Sequence, residues 1–254
     1  MRSEIIGNWK MNLDHVEAIH LTQQIGVLLR AAAHENVDVI VAPPSVDLRS
    51  VTSVIDADRL PIGVAAQHVS SLDKGAYTGE ISVAMLRRLG VTSVLVGHSE
   101  RRAYYGMTDE VVNATAAAAL KGGLRPVICV GESADVRGAD EHETFVAGQV
   151  AAAVEGLTGG PVAVAYEPIW AIGTGDTASV EQVARMASVI REALPVALRA
   201  DTPVLYGGSV NPDNAKELST NGNVNGFLVG GASLVAAQFV EIVTIASECY
   251  GKSR

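Results

Sequence analysis

The feature that most narrows what this chain can fold into is a regular beat. Short apolar runs rich in Val and Ile begin at Ile5, Val37, Pro61, Val91, Arg125, Val162, Pro203 and Asn225, on average about 31 residues apart. Between and after them lie segments with helical spacing, Asp14 to Ala33, Leu48 to Ile55, Ser82 to Arg88, Asp109 to Leu120, Glu141 to Glu155, Val180 to Leu194, Asn211 to Ser219 and Leu234 to Ser247. Each beat is the length of one strand followed by one helix. The runs are continuous rather than alternating in polarity, as parallel strands covered on both faces require, and no Pro/Ser-rich linker divides residues 1–254. The expectation is a single α/β domain over 1–254. A doubly wound dinucleotide-binding sheet would follow its first strand with a glycine-rich fingerprint. Here the first strand leads into Asn8-Trp9-Lys10, which favours a closed (β/α)8 barrel of eight parallel strands inside eight helices.

Composition removes whole classes of function. With 48% hydrophobic and 19% charged residues the chain lies well inside the globular range. Its net charge of −9, without any Lys/Arg run, argues against nucleic acid as a partner. Cys129 and Cys249 are too few for a disulfide framework and lack the paired spacing of a zinc site. Met1-Arg2-Ser3-Glu4 runs straight into Ile5-Ile6, with no basic region and long apolar core of an export signal, and the alanine-rich stretch Ala114 to Leu120 is too short to span a membrane. A cytoplasmic protein, away from membranes, is expected.

In a parallel barrel the ends of all strands face one way, and that mouth is where such barrels carry their active sites. The residues ending the apolar runs are Asn8 and Lys10, Gln67 and His68, His98 and Glu100, Glu132, Glu167, Ser209, and Gly230 with Gly231. Side chains far apart in the chain thus converge. Gly207-Gly208-Ser209 and Gly230-Gly231-Ala232-Ser233 each precede a helix, and bare backbone amides at a helix start accept an anion. Two such pairs at the seventh and eighth strands point to a phosphorylated substrate, although glycines there also serve tight turns. A helix starting beside His98 would depress the imidazole pKa and leave it a neutral hydrogen-bond donor. Glu167 is followed by Pro168 to Gly175, apolar in its middle and glycine-flexible at its end, as a lid would be. Lys10 could steer or hold an anion. Taken singly these three are also an ordinary core histidine, a surface glutamate and a solvated lysine.

Together the residues resemble a known family. Gly7-Asn8-Trp9-Lys10-Met11-Asn12, Gly75-Ala76-Tyr77-Thr78-Gly79-Glu80, Gly97-His98-Ser99-Glu100-Arg101-Arg102, Ala165-Tyr166-Glu167-Pro168-Ile169-Trp170 with Ala171 to Gly175, Tyr206-Gly207-Gly208-Ser209-Val210 and Gly226-Phe227-Leu228-Val229-Gly230-Gly231 are similar to the motifs of triosephosphate isomerases, in family order from residue 5 to about residue 247. The resemblance implies a TIM barrel, a place in glycolysis and gluconeogenesis, and interconversion of dihydroxyacetone phosphate and glyceraldehyde 3-phosphate through an enediol without metal or organic cofactor. It implies Glu167 as general base, His98, Lys10 and Asn8 acting on the substrate oxygens, and Glu100 supporting Lys10. Asn8, Lys10, Gly173, Ser209, Gly230 and Gly231 would bind the substrate and its phosphate, beneath a lid formed by Ile169 to Gly175. A homodimer is implied, joined through the 68–79 loop, with Thr78 near the partner's active site. Isomerisation of a ketotetrose phosphate, or a barrel that only binds a phosphosugar, are the competing readings.

The chain departs from the family's usual pattern at His68, Met107 and Asp176. None is a proposed proton-transfer or phosphate residue, so these positions bear on the interface and the lid.

Overall fold

The computed structural model describes residues 3–172 and 177–251. In chain order β1 (Ser3–Asn8) leads to α1 (His15–Leu29), β2 (Val37–Ala42) to α2 (Leu48–Asp58), β3 (Gly63–Ala66) to α3 (Val83–Arg88), and β4 (Ser93–Val96) to α4 (Ser99–Tyr105) and α5 (Asp109–Lys121). Then β5 (Arg125–Val130) leads to α6 (Ala134–Gly138) and α7 (His142–Ala153), and β6 (Ala163–Tyr166) to α8 (Val180–Ala193) and α9 (Val196–Arg199). Last come β7 (Val204–Tyr206) with α10 (Pro212–Asn221) and β8 (Gly226–Val229) with α11 (Ala236–Gly251). Each strand pairs in parallel with the next, and β8 pairs back onto β1, closing an eight-stranded barrel. The expected barrel is the one found.

Among the described residues three helices exceed the expected eight: α4, α6 and α9. Each is a short coil of four to seven residues inside a connection, started by a local cap rather than by an apolar stripe. His98 accepts the Glu100 N–H at the start of α4, Ser133 accepts that of Val136 at α6, and Pro195 precedes α9. Periodicity has nothing to register in pieces this short.

Strand parity places the site. Ile6, Ile40, Ala42, Leu95, Val127, Cys129, Ala163, Ala165, Leu205 and Leu228 belong to the cluster inside the barrel. Their neighbours Ile5, Val41, Val94, Val96, Ile128, Val164, Tyr166, Val204, Phe227 and Val229 pack outward against the helices. Successive residues of a strand face opposite sides, so Asn8, two places beyond Ile6, and Glu167, two beyond Ala165, face the interior at the strand ends. The barrel does the aiming. Gly226 (φ +149) sits so close to β1 that a Cβ there would run into the Glu4 carbonyl, which explains a glycine at the start of β8.

Candidate active site

Asn8, Lys10, His98, Glu167, Ser209, Gly230 and Gly231 all line one cleft of about 380 Å³ at the mouth, with Ile172, Gly208 and Leu228. Gly173, Thr174, Gly175 and Asp176 lie outside the described residues, so the last three residues of the expected lid, one expected phosphate ligand among them, do too.

Glu167 is buried to 2% exposure and stands in a slot between two glycines. A Cβ on Gly131 would overlap the Glu167 carbonyl, and one on Gly207 would come within 3.0 Å of the Glu167 Cγ. Its backbone N–H donates to the Val130 carbonyl at 2.7 Å. Its carboxylate accepts the Ser99 N–H at 2.9 Å on Oε2 and lies 2.9 Å from His98 Nε2 through Oε1. Burial pushes the Glu167 pKa up, but His98, the Ser99 N–H and Lys10 together outweigh it and hold the group below the ordinary carboxylate range. The carboxylate is therefore ionised although dry.

His98 follows Gly97 (φ +74), whose left-handed turn interrupts the strand alternation at the end of β4. Its Nδ1 accepts the Glu100 backbone N–H at 3.3 Å, so the proton of the neutral ring sits on Nε2, facing Glu167. The depressed pKa expected from the start of α4 is not what this arrangement produces. Burial does push the imidazole down, but a full carboxylate charge 2.9 Å away pulls it above its ordinary value. That pull belongs to Glu167's present position, and a carboxylate turned toward the cleft takes it away.

Lys10 has φ +53, and Gln67 holds this strained turn by donating to the Lys10 carbonyl at 2.8 Å and to the Ala42 carbonyl at 2.8 Å. The Asn8 side chain accepts the Lys10 N–H at 3.0 Å, and Glu100 takes the ammonium at 2.7 Å. Opposite, Ser209 donates to the Ala171 carbonyl at 3.1 Å, tying the β7 loop to the one-turn helix Ile169–Ala171. A Cβ on Gly230 would lie 3.7 Å from the Lys10 Cε, and one on Gly231 would meet nothing within 4 Å. The glycine loop thus approaches the lysine with room left over.

Three contributors were not assigned roles from the sequence. The Ser99 N–H and Gln67 act through backbone bonds that composition does not reveal. Glu132, fully buried, accepts on Oε1 from Arg137 at 2.8 Å, Tyr166 at 3.1 Å and Trp170 at 2.8 Å. Arg137 also lies 4.9 Å over the Trp170 ring. Glu132 was visible only as a polar strand end. Its partners come from three separate elements.

Among the described residues no group of three His, Cys, Asp or Glu side chains gathers to hold a metal ion, and no helix is long and apolar enough to cross a membrane. What the mouth does present is a buried, ionised carboxylate beside an imidazole and a lysine, in one cleft with the glycine loops after β7 and β8. Fold and cleft define a barrel enzyme of the acid–base kind. Residues 3–246 match the family described as Triosephosphate isomerase. The chain is 47% identical to the triosephosphate isomerase of Cutibacterium acnes, over 94% of this chain and 95% of that protein. It is 48% identical to that of Mycolicibacterium vanbaalenii and 46% to that of Mycobacterium tuberculosis, over 96% of both chains in each case. The chain belongs to the triosephosphate isomerase family.

Proposed function

We propose that the chain interconverts dihydroxyacetone phosphate and glyceraldehyde 3-phosphate, with Glu167 as the base. The observation that carries this is the ionised Glu167, sealed in a slot yet opening onto a cleft whose far wall is glycine. Removing a carbon-bound proton leaves negative charge on the neighbouring carbonyl oxygen, and that charge has to be met by donors already in place. His98 Nε2–H, the Lys10 ammonium and the Asn8 amide line the same cleft. Glu167 gives up the Ser99 N–H and His98 when it turns to the substrate, and the released imidazole is then a neutral donor. The proton taken from one carbon returns to the other, and the hydroxyl proton passes from one substrate oxygen to the other by way of His98 Nε2, so no electrons leave the substrate. Ser209, Gly230 and Gly231 receive the phosphate, and closure of the segment after Pro168 keeps water from the enediolate.

A homodimer in the cytoplasm accompanies this reading. A second cleft of about 320 Å³ beside the first is lined by Met11, Gln67, His68, Glu100, Arg101 and Tyr105. Met11 is 93% exposed and the exposed Tyr105 lines the same cleft, an apolar rim suited to the 68–79 loop of a second copy.

A coupled assay with glyceraldehyde 3-phosphate in the presence of chelator tests the reaction. Turnover lost in Glu167→Gln supports the assignment, while wild-type turnover in that variant, made free of host isomerase, refutes it. Faster turnover of a four-carbon ketose phosphate than of the triose would move the substrate assignment instead.

A further inference from the structure

The slot that holds Glu167 has a floor, and the floor is fixed from an unexpected quarter. The end of β5 and the residues after it, Val130-Gly131-Glu132, meet the peptide that carries the base at every step. The Val130 carbonyl accepts the Glu167 N–H at 2.7 Å, Gly131 lies under the Glu167 carbonyl, and the Glu132 carbonyl accepts the Ile169 N–H at 3.1 Å. The Glu132 carboxylate then takes the Trp170 indole at 2.8 Å. Gly131 is the centre of this support, and its N–H points outward to the helix layer. There Gln149, buried in α7, accepts it through Oε1 at 2.8 Å.

We infer that Gln149 is a positioning residue for the base: through its bond to the Gly131 N–H it sets where Glu167 and the Pro168–Trp170 segment stand. A buried N–H without an acceptor is costly enough that the peptide rotates to find another. Rotation of the Val130–Gly131 peptide moves the carbonyl that holds the Glu167 N–H, and the Gly131 surface against which the Glu167 carbonyl rests. The β7 loop meets this peptide through the Ser209 bond to the Ala171 carbonyl and the Gly207 contact with Glu167, whereas Gly230 and Gly231 of the β8 loop make no such bond to it. The base is displaced while the β8 part of the glycine wall stays in place, so loss of Gln149 acts on the chemical step far more than on phosphate binding.

The inference rests on Glu167 being the base, and the experiment keeps the two apart. Gln149→Met removes the acceptor at similar volume, and Gln149→Glu keeps an acceptor oxygen at the same reach. Val150→Ala, at a buried neighbour in the same helix, serves as a packing control. Glu167→Gln is measured alongside, and activity persisting there overturns the base assignment whatever Gln149 does. Expected is a roughly ten- to hundredfold loss of kcat in Gln149→Met, with the inhibition constant of inorganic phosphate within about twofold of wild type. Gln149→Glu should restore most of the loss, and Val150→Ala should lower the melting temperature without lowering kcat. Unchanged kcat in Gln149→Met, phosphate inhibition weakening in step with kcat, or no rescue by Gln149→Glu would each overturn the inference. Should Gln149→Met not yield folded protein, Gln149→Asn, which withdraws the oxygen by one methylene, carries the same comparison.

Discussion

A carboxylate kept out of water is ordinarily protonated, and Glu167 escapes this because two hydrogen-bond donors and a lysine gather around it. The same residue scale decides the anion wall. A Cβ on Gly231 would meet no neighbour, so Gly231→Val should fold and yet fill the space proposed for phosphate. Inhibition by inorganic phosphate should weaken roughly tenfold or more, about 1.4 kcal/mol, and unchanged inhibition would show that the phosphate sits elsewhere. Away from the mouth, Arg191 is a half-buried cation whose pKa is pushed down by burial, and its partners are the Asn223 carbonyl at 2.7 Å and the Asn225 side chain at 2.8 Å. Asn225 also accepts the Val204 N–H at 3.0 Å. Asn225→Asp would keep both bonds and supply the missing charge, raising stability by about 1 kcal/mol and the melting temperature by about 2–4 °C. The new carboxylate would have a folded pKa below its unfolded one, so the gain is complete above the unfolded value near 3.9 and vanishes as pH falls through the folded value. Calorimetry at neutral and acid pH would check both statements.

Elements explain which parts of the design could be read in advance. The long strands and helices announce themselves because apolar residues recur at their periods, and strand starts fall within two residues of the expected positions: β1 begins at Ser3 rather than Ile5, β4 at Ser93 rather than Val91. Strand parity then makes Asn8 and Glu167 legible as mouth residues. Illegible were the contacts between elements, such as Gln149 reaching from α7 to Gly131, and Glu132 gathering Arg137, Tyr166 and Trp170, since no spacing in the chain encodes them. The link between β4 and α4 shows how one residue can carry a whole junction. Gly97 has φ +74, and a Cβ there would come within 2.7 Å of the Val112 side chain. Gly97→Ala should cost about 1–3 kcal/mol of stability through strain and that contact, and should lower kcat as well, because His98 is the next residue. A variant with wild-type kcat would mean that the imidazole is placed by α4 alone.

At the scale of the molecule the proposed dimer brings His68 into play. Its Nε2 is 3.7 Å from Glu80, Arg101 lies near, and its Nδ1 is buried without a partner. Burial and Arg101 push its pKa below the ordinary value, against the pull of Glu80. The unfolded chain therefore binds this proton more readily than the folded one, and the loop root loses stability as pH falls from about 6.5 toward the lowered value. Unfolding, followed by calorimetry, should become easier across that window in the wild type and flatten in His68→Asn. Thr78→Arg should separate the copies at every pH and lower activity with them, whereas a fully active monomer would exclude an obligate dimer.

The pairing of β8 with β1 carries a last consequence, for the order in which the chain has to be written. A ring of eight repeats has no first member, since each strand is bonded on both sides to a neighbour of the same kind. The connection from Glu155 to Pro161 is rich in exposed glycine and supplies none of the residues that line the cleft. A circularly permuted gene, with the native ends joined by a flexible linker and new ends opened at Gly159-Gly160, should yield the same barrel with its turnover largely intact.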